Sequence, residues 1–320
     1  MSRKTEPSLV AIDATSQPEV HAVSLRLETL QIARLAPKLL DDSAELVRDF
    51  VLSLAAPGGG FVDRAGEPDL YYTVFGIECL LALQAEDAIA GLREPTLAWL
   101  CGFLKEAGEL DLVHHCCLIR AFAGLESPPA AEARAALLER LAKHRSADGG
   151  FDLKPGAERG TVYAAFLCLG AYEDLGEAIP EPGRLLAAVE ALRCKDHGYA
   201  NDPGAAKGLT PPTAAAVALR RRLGAPPEPG AAAWLLDRCL PEGGFFATPA
   251  APLPDLLSTA TALHALTCLD HPLEAIKEPC LDYVDSLWTN RGSFFGHWQD
   301  DALDVEYTWY GLLALGHLSL

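Results

Sequence analysis

The chain has 320 residues, half of them hydrophobic, which is enough to bury a large core in one or two domains. Its net charge of −18 excludes nucleic acid and anionic membrane surfaces as general partners, although a local basic pocket remains compatible with it. No apolar run reaches the roughly 18 residues of a membrane span.

Residues 1–23 read as a flexible N-terminal tail, polar and without the basic-then-apolar layout of a signal peptide. Nine cysteines, an odd number with no Cys-x-x-Cys pair, fall mostly in apolar runs (Cys79, Cys168, Cys268) and read as buried free thiols. Together these features predict a cytoplasmic protein. From Ser24 to Leu54 apolar residues recur at helical spacing (Leu25, Leu30, Leu35, Leu39, Leu46, Phe50, Leu54), which predicts one or two helices.

Beyond Leu54 a phrase repeats. Glycine-aromatic turns fall at Gly59-Gly60-Phe61, Gly149-Gly150-Phe151, His197-Gly198-Tyr199, Gly243-Gly244-Phe245 and Gly292-Ser293-Phe294, with a weaker copy at Gly102-Phe103. Their aromatic residues stand 42–49 residues apart. A repeat of that period is one supersecondary unit copied, so residues 24–320 are expected to form a single repeat domain. Each turn leads into an apolar helix such as Asp69–Leu83. A break bearing Pro or Gly follows, then an amphipathic helix such as Pro95–Leu104 or Ala130–Lys143. The first kind of helix is apolar nearly all round and reads as buried; the second carries charge on one side. Six of each describe an all-α fold, an αα-toroid or α6-α6 barrel of six helix-pair repeats.

The inner helices align on Asp69, Asp111, Arg159, Leu209, Asp255 and Asp304, with Thr73, His115, Tyr163, Thr213, Thr259 and Thr308 four residues on. Aspartate at a helix start caps orphan N–H groups, and the threonines read as packing. Nine residues after the start stand Glu78, Arg120, Cys168, Ala218, His264 and Leu313. Ionisable groups at one depth in apolar helices must be paired, so Glu78 and Arg120 read either as a structural ion pair or as a polar layer of the lumen. Position two, two turns earlier on the same face, holds Tyr71, Val113, Thr161, Pro211, Leu257 and Glu306. Only Glu306 is acidic there, and an apolar cavity raises the pKa of such a carboxyl toward that of a proton donor.

The stretch from Gly59 to Gly76 resembles a repeat of the β subunits of protein prenyltransferases, and the same repeat occurs in squalene and terpene cyclases. That resemblance covers roughly residues 25–320 and implies a lumen lined by aromatic groups that holds an isoprenoid, with Tyr71, Trp309 and Tyr310 as candidates beside Glu78, Arg120 and His264. In the prenyltransferases zinc is held by the helix-start Asp, a Cys two residues later and a His at position three of the next repeat. Asp69 and His114 match, with His115 beside them as a weaker candidate, but Tyr71 stands in place of the thiolate. The resemblance therefore implies no metal with any force; zinc is disfavoured and no cofactor is expected. In the cyclases the start reads Asp-x-Asp-Asp-Thr, and Asp304-Val305-Glu306-Tyr307-Thr308 is its nearest counterpart, placing Glu306 as the catalytic acid oriented by Asp304. For a diphosphate the resemblance points to Arg64, Lys154, Arg159 and Lys207 in the loops, with Tyr72 and Tyr307. The function it implies is that of a non-zinc transferase or terpene-cyclase-like enzyme acting on an isoprenoid or its diphosphate. The alternative is a non-catalytic binding or scaffold protein. An α-type partner subunit, which the eukaryotic relatives require, is the further partner it raises.

Overall fold

The computed structural model describes residues 23–106 and 109–320; the expected tail over residues 1–23 lies, but for Val23, outside them. Three helices precede the first turn: α1 (Leu25–Ala33), α2 (Pro37–Leu40) and α3 (Ser43–Ser53). Inner and outer helices then alternate, beginning with α4 (Leu70–Ala82), α5 (Glu86–Glu106), α6 (Leu112–Gly124), α7 (Ala131–Lys143) and α8 (Val162–Asp174). They continue as α9 (Pro182–Glu190), α10 (Thr210–Arg222), α11 (Ala231–Leu236), α12 (Leu256–Cys268), α13 (Lys277–Leu287) and α14 (Val305–Leu318). The even-numbered helices from α4 to α14 each pack on the next, and α14 returns to α4, so the inner ring closes. Closure excludes a linear stack and puts matching offsets of the repeats around one axis.

The repeated phrase is the hardware of this ring. Asp69, Asp111, Asp255 and Asp304 each accept the N–H of the residue three positions on, as helix caps do. The threonines do more than pack. Thr73, Thr213 and Thr259 accept the backbone N–H of Phe61, Tyr199 and Phe245 at 2.8–2.9 Å, tying each turn to its inner helix. In the first repeat β1 (Phe61–Val62) pairs antiparallel with β2 (Pro68–Asp69) just after the turn, and in the last the turn itself joins β3 (Trp288–Thr289) to β4 (Ser293–Phe294). The turn aromatics are fully buried between the rings.

Two residues before each of these five aromatics the backbone is left-handed, at Gly59, Gly149, His197, Gly243 and Gly292. At Gly243 (φ +92°) a Cβ would stand 1.9 Å from the Pro279 carbonyl oxygen of α13. At Gly292 (φ +85°) it would stand 2.1 Å from the Leu46 carbonyl oxygen of α3, where the last turn meets the first outer helix. The turns at Gly59, Gly243 and Gly292 thus dock on an outer helix's backbone, an approach that glycine permits, whereas His197 holds the left-handed position in its own repeat.

Three expectations need correction. Gly102-Phe103 is no turn: with helical backbone at Cys101 it lies inside α5. The same helix runs through Pro95, which removes one ladder bond without ending it, so no break precedes Pro95. The third inner helix starts at Thr161, whose hydroxyl caps Ala164, and not at Arg159. Ten residues separate Phe151 from Thr161, as they separate Tyr199 from Leu209, Phe245 from Asp255 and Phe294 from Asp304. The eight-residue spacing of Phe61 to Asp69 is the exception, and Arg159 stands two residues before the true start of its helix.

One element closes the barrel. The N-termini of the inner helices open at one mouth, and at the other end α1 packs across α14, α4 and α8. Its Arg26 pairs with Asp174 (3.3 Å) and Glu78 (3.8 Å), and its first N–H is bound by Glu173 at 2.8 Å.

Candidate functional site

The mouth half of the lumen is an aromatic wall built by α4 and α14. Positions two and six of these helices carry Tyr71, Phe75, Glu306 and Tyr310, all half-buried. Ring centroids run from Tyr72 to Tyr71 (5.7 Å), Tyr71 to Phe75 (4.9 Å), Phe75 to Tyr310 (5.8 Å) and Tyr310 to Tyr307 (6.3 Å). The first two contacts are edge-on, which suits the ring quadrupoles, and the last two are tilted. Trp309 belongs instead to the packed core, 3% exposed.

Glu306 is the acid of this wall. The Tyr71 hydroxyl donates to its Oε1 at 2.7 Å, which leaves the second carboxyl oxygen to carry a proton. Burial pushes the Glu306 pKa upward, and Asp304 adds to the rise against the opposing Tyr71 hydrogen bond. Burial likewise holds the Tyr71 phenol far above its usual range, so Tyr71 acts as a donor only. Asp304 is 2% exposed, caps the Tyr307 N–H at 2.8 Å and takes Arg64 Nε at 2.7 Å. It therefore fixes the first turn of α14, on which Glu306 stands.

Of the expected diphosphate ligands, Arg64 is already committed. It bridges Asp304 and Asp300 (3.2 Å) and lies 5.5 Å from the Tyr307 ring centroid. Lys154 and Arg159 are exposed in the loop before α8, and Lys207 in the loop before α10.

The donor set expected for zinc does not fit that ion. His114 Nε2 lies 3.3 Å from Asp69 Oδ2 while its Nδ1 lies 2.9 Å from both Asp111 carboxylate oxygens. Held first by Asp69 and then by Asp111, its pKa is raised to about 9, and both ring nitrogens are engaged by carboxylates. Tyr71, in the thiolate's place, is bound to Glu306. His115 faces away: its Nε2 donates to the Leu137 carbonyl of α7 at 3.0 Å, and burial lowers its pKa to about 4.

The deep half of the lumen is polar and filled. Glu78, 1% exposed, takes Arg120 Nε at 3.3 Å, so the two matched positions do meet across neighbouring helices. Asp174 from α8 joins them; burial pushes its pKa up to about 6 against the pull of Arg120 and Arg26. The cavity between this network and the aromatic wall, lined by Tyr71, Phe75, Arg120 and Phe166 and floored by Leu25 and Arg26, holds ≈ 80 Å³. His264 stands on the far side, bonded through Nδ1 to His317 Nε2 at 3.2 Å.

Sequence reasoning missed three members of the lumen. Tyr163 occupies position two once the α8 register is corrected, and the ten-residue spacing would have placed it there. Asp174 and Arg26 belong to the deep network, but no sequence pattern says that α1 docks into the barrel.

Residues 27–99 and 213–318 match the family described as the prenyltransferase alpha-alpha toroid domain. No curated protein matches the chain. Among solved structures, the apo type II terpene cyclase MstE from Scytonema is similar at 16% identity and a TM-score of 0.56, covering 88% of this chain and 98% of that one. A variant of MstE in complex with its product, merosterolic acid A, gives 13% identity and a TM-score of 0.58 over 91% and 97%. Another, in complex with its substrate geranylgeranyl dihydroxybenzoate, gives 15% identity and 0.53 over 91% and 97%. Identities this low establish a shared toroid fold. Among the described residues, no helix is long and apolar enough to cross a membrane.

Proposed function

Since this chain belongs to the prenyltransferase alpha-alpha toroid domain family, we propose that it is a terpene-cyclase-like enzyme that protonates an isoprenoid alkene at the mouth of its barrel. The observation that carries this reading is the half-buried Glu306 carboxyl, held by Tyr71 at 2.7 Å beside a wall of aromatic faces. In the proposed step the Glu306 O–H bond breaks and its proton forms a C–H bond using the alkene π electrons. The tertiary cation left behind sits against the electron-rich rings of Tyr71, Phe75 and Tyr310. A second alkene closes a ring onto it, and loss of a proton to solvent ends the sequence with no net change in formula.

Electrostatics favour this reading over diphosphate transfer. At the mouth Arg64 is already paired with Asp300 and Asp304, and His114 with Asp69 and Asp111. A diphosphate would have to compete with those carboxylates for both cations, and Lys154, Arg159 and Lys207 stand exposed in the loops. The ligand proposed here is therefore a prenyl chain without a diphosphate group, and the MstE substrate, geranylgeranyl dihydroxybenzoate, likewise carries none.

Thermal unfolding tests the ligand class. A neutral farnesyl-length prenyl phenol at a hundredfold excess over its dissociation constant should stabilise the fold by about 2.7 kcal/mol, and farnesyl diphosphate should do less. No rise in Tm with either ligand would count against an isoprenoid site; stabilisation by the diphosphate alone would favour the transferase.

A further inference from the structure

On α12, His264 and Cys268 stand one turn apart on a single face. Glu28 approaches them from α1. Cys268 Sγ lies 3.6 Å from His264 Nε2 and 3.6 Å from Glu28 Oε1, and His264 Nε2 lies 4.0 Å from Glu28 Oε1. Ligand atoms bound to one tetrahedral zinc ion at about 2.0–2.3 Å stand about 3.3–3.6 Å from one another. The triangle is thus nearly the right size, and its long edge involves the flexible Glu28 side chain.

The hydrogen-bond chain behind His264 fixes which nitrogen faces this triangle. Thr267 donates its hydroxyl proton to the Leu263 carbonyl at 3.0 Å, so it accepts from His317 Nδ1, also at 3.0 Å. His317 Nε2 is then an acceptor, and His264 Nδ1 must donate to it. In the neutral imidazole this leaves His264 Nε2 as a bare lone pair aimed at a thiol and a carboxylate. An outer partner that orients a histidine in this way is the usual support of a metal ligand.

We propose that Glu28, His264 and Cys268 bind a zinc-type divalent cation, with water in the fourth position, and that this ion staples α1 into the closed end of the barrel. The assignment is independent of the chemistry at the mouth. Arg221 is the competing occupant: its Nη1 lies 3.4 Å from Cys268 Sγ and pairs with Glu28 Oε1. Its side chain is 54% exposed and can swing into solvent when the ion enters. The Cys268 thiol, held up at about 11 by burial and then by Glu28, releases its proton to solvent as the sulfur–metal bond forms.

Titration of the full chain with Co²⁺ under a phosphine reductant tests this. One equivalent should bind with a near-ultraviolet thiolate-to-cobalt band and visible bands of tetrahedral intensity, displaced by Zn²⁺. Cys268→Ser should remove the thiolate band, and Glu28→Gln should weaken binding by about tenfold or more. Arg221→Ala should bind as tightly as the wild type or tighter. Absence of the band in the wild-type chain overturns the proposal, as does a band that persists undiminished in both Cys268→Ser and Glu28→Gln, since another of the nine thiols would then be the ligand.

Discussion

Glu306→Gln is expected to lower turnover of a prenyl substrate by about 10²- to 10⁴-fold, the contribution of a positioned general acid. Glutamine keeps an oxygen to accept from the Tyr71 hydroxyl, so the α4–α14 contact survives and the circular dichroism spectrum and Tm should change little. What it loses is the transferable proton. In the wild type that proton persists to higher pH than on an ordinary glutamate, because burial raises the Glu306 pKa. Activity therefore falls as pH rises through the folded-state value. The linked stability has the same sign: a carboxyl raised on folding stabilises the native state at low pH and loses that contribution as pH rises through its folded pKa. The glutamine variant should lack both dependences. Unchanged product formation, followed by mass spectrometry, would remove Glu306 from the mechanism.

Arg120→Leu acts at the other end of the lumen and should cost about 3 kcal/mol of stability, the lower end of what breaking a buried ion pair costs. Glu78 keeps Arg26 at 3.8 Å, which limits the loss. Two carboxylates, Glu78 and Asp174, would then share one guanidinium. Asp174 already stands at about 6, and removing Arg120 raises it further. A carboxyl raised above its unfolded value stabilises at low pH and loses that contribution as pH rises, so the variant should be weakest near pH 8 and recover part of its deficit near pH 5. Denaturant unfolding at the two pH values measures this. A variant as stable as the wild type at both would show that the deep network contributes nothing to the fold.

The closed ring was legible because its parts are short-range and repeated. An aspartate cap, a threonine four residues on and a left-handed glycine each solve a local problem, and their recurrence reports the architecture. Offsets counted from the caps put Glu78 level with Arg120 on neighbouring helices, and the two side chains meet at 3.3 Å. The same counting failed at Arg159, because Thr161 is the cap and the loop from Phe151 is two residues longer than the one from Phe61 to Asp69. What the sequence could not carry was long-range. Nothing in the helical periodicity of Leu25–Ala33 says that it crosses the barrel's end, so neither the filled deep half nor the meeting of Glu28 with His264 and Cys268 could be read. Trp309 illustrates the remaining difficulty. Its position lies one residue from Tyr310 on α14, yet it points into the core while Tyr310 joins the wall.

Product formed in D₂O tests the proton-transfer claim most directly. Solvent exchange loads Glu306 with deuterium, and protonation of an alkene writes that atom into carbon, so the account predicts a product one mass unit heavier, with a single deuterium at the carbon that was protonated. A product without deuterium, formed with release of inorganic diphosphate, would contradict it and assign the barrel to transfer chemistry instead.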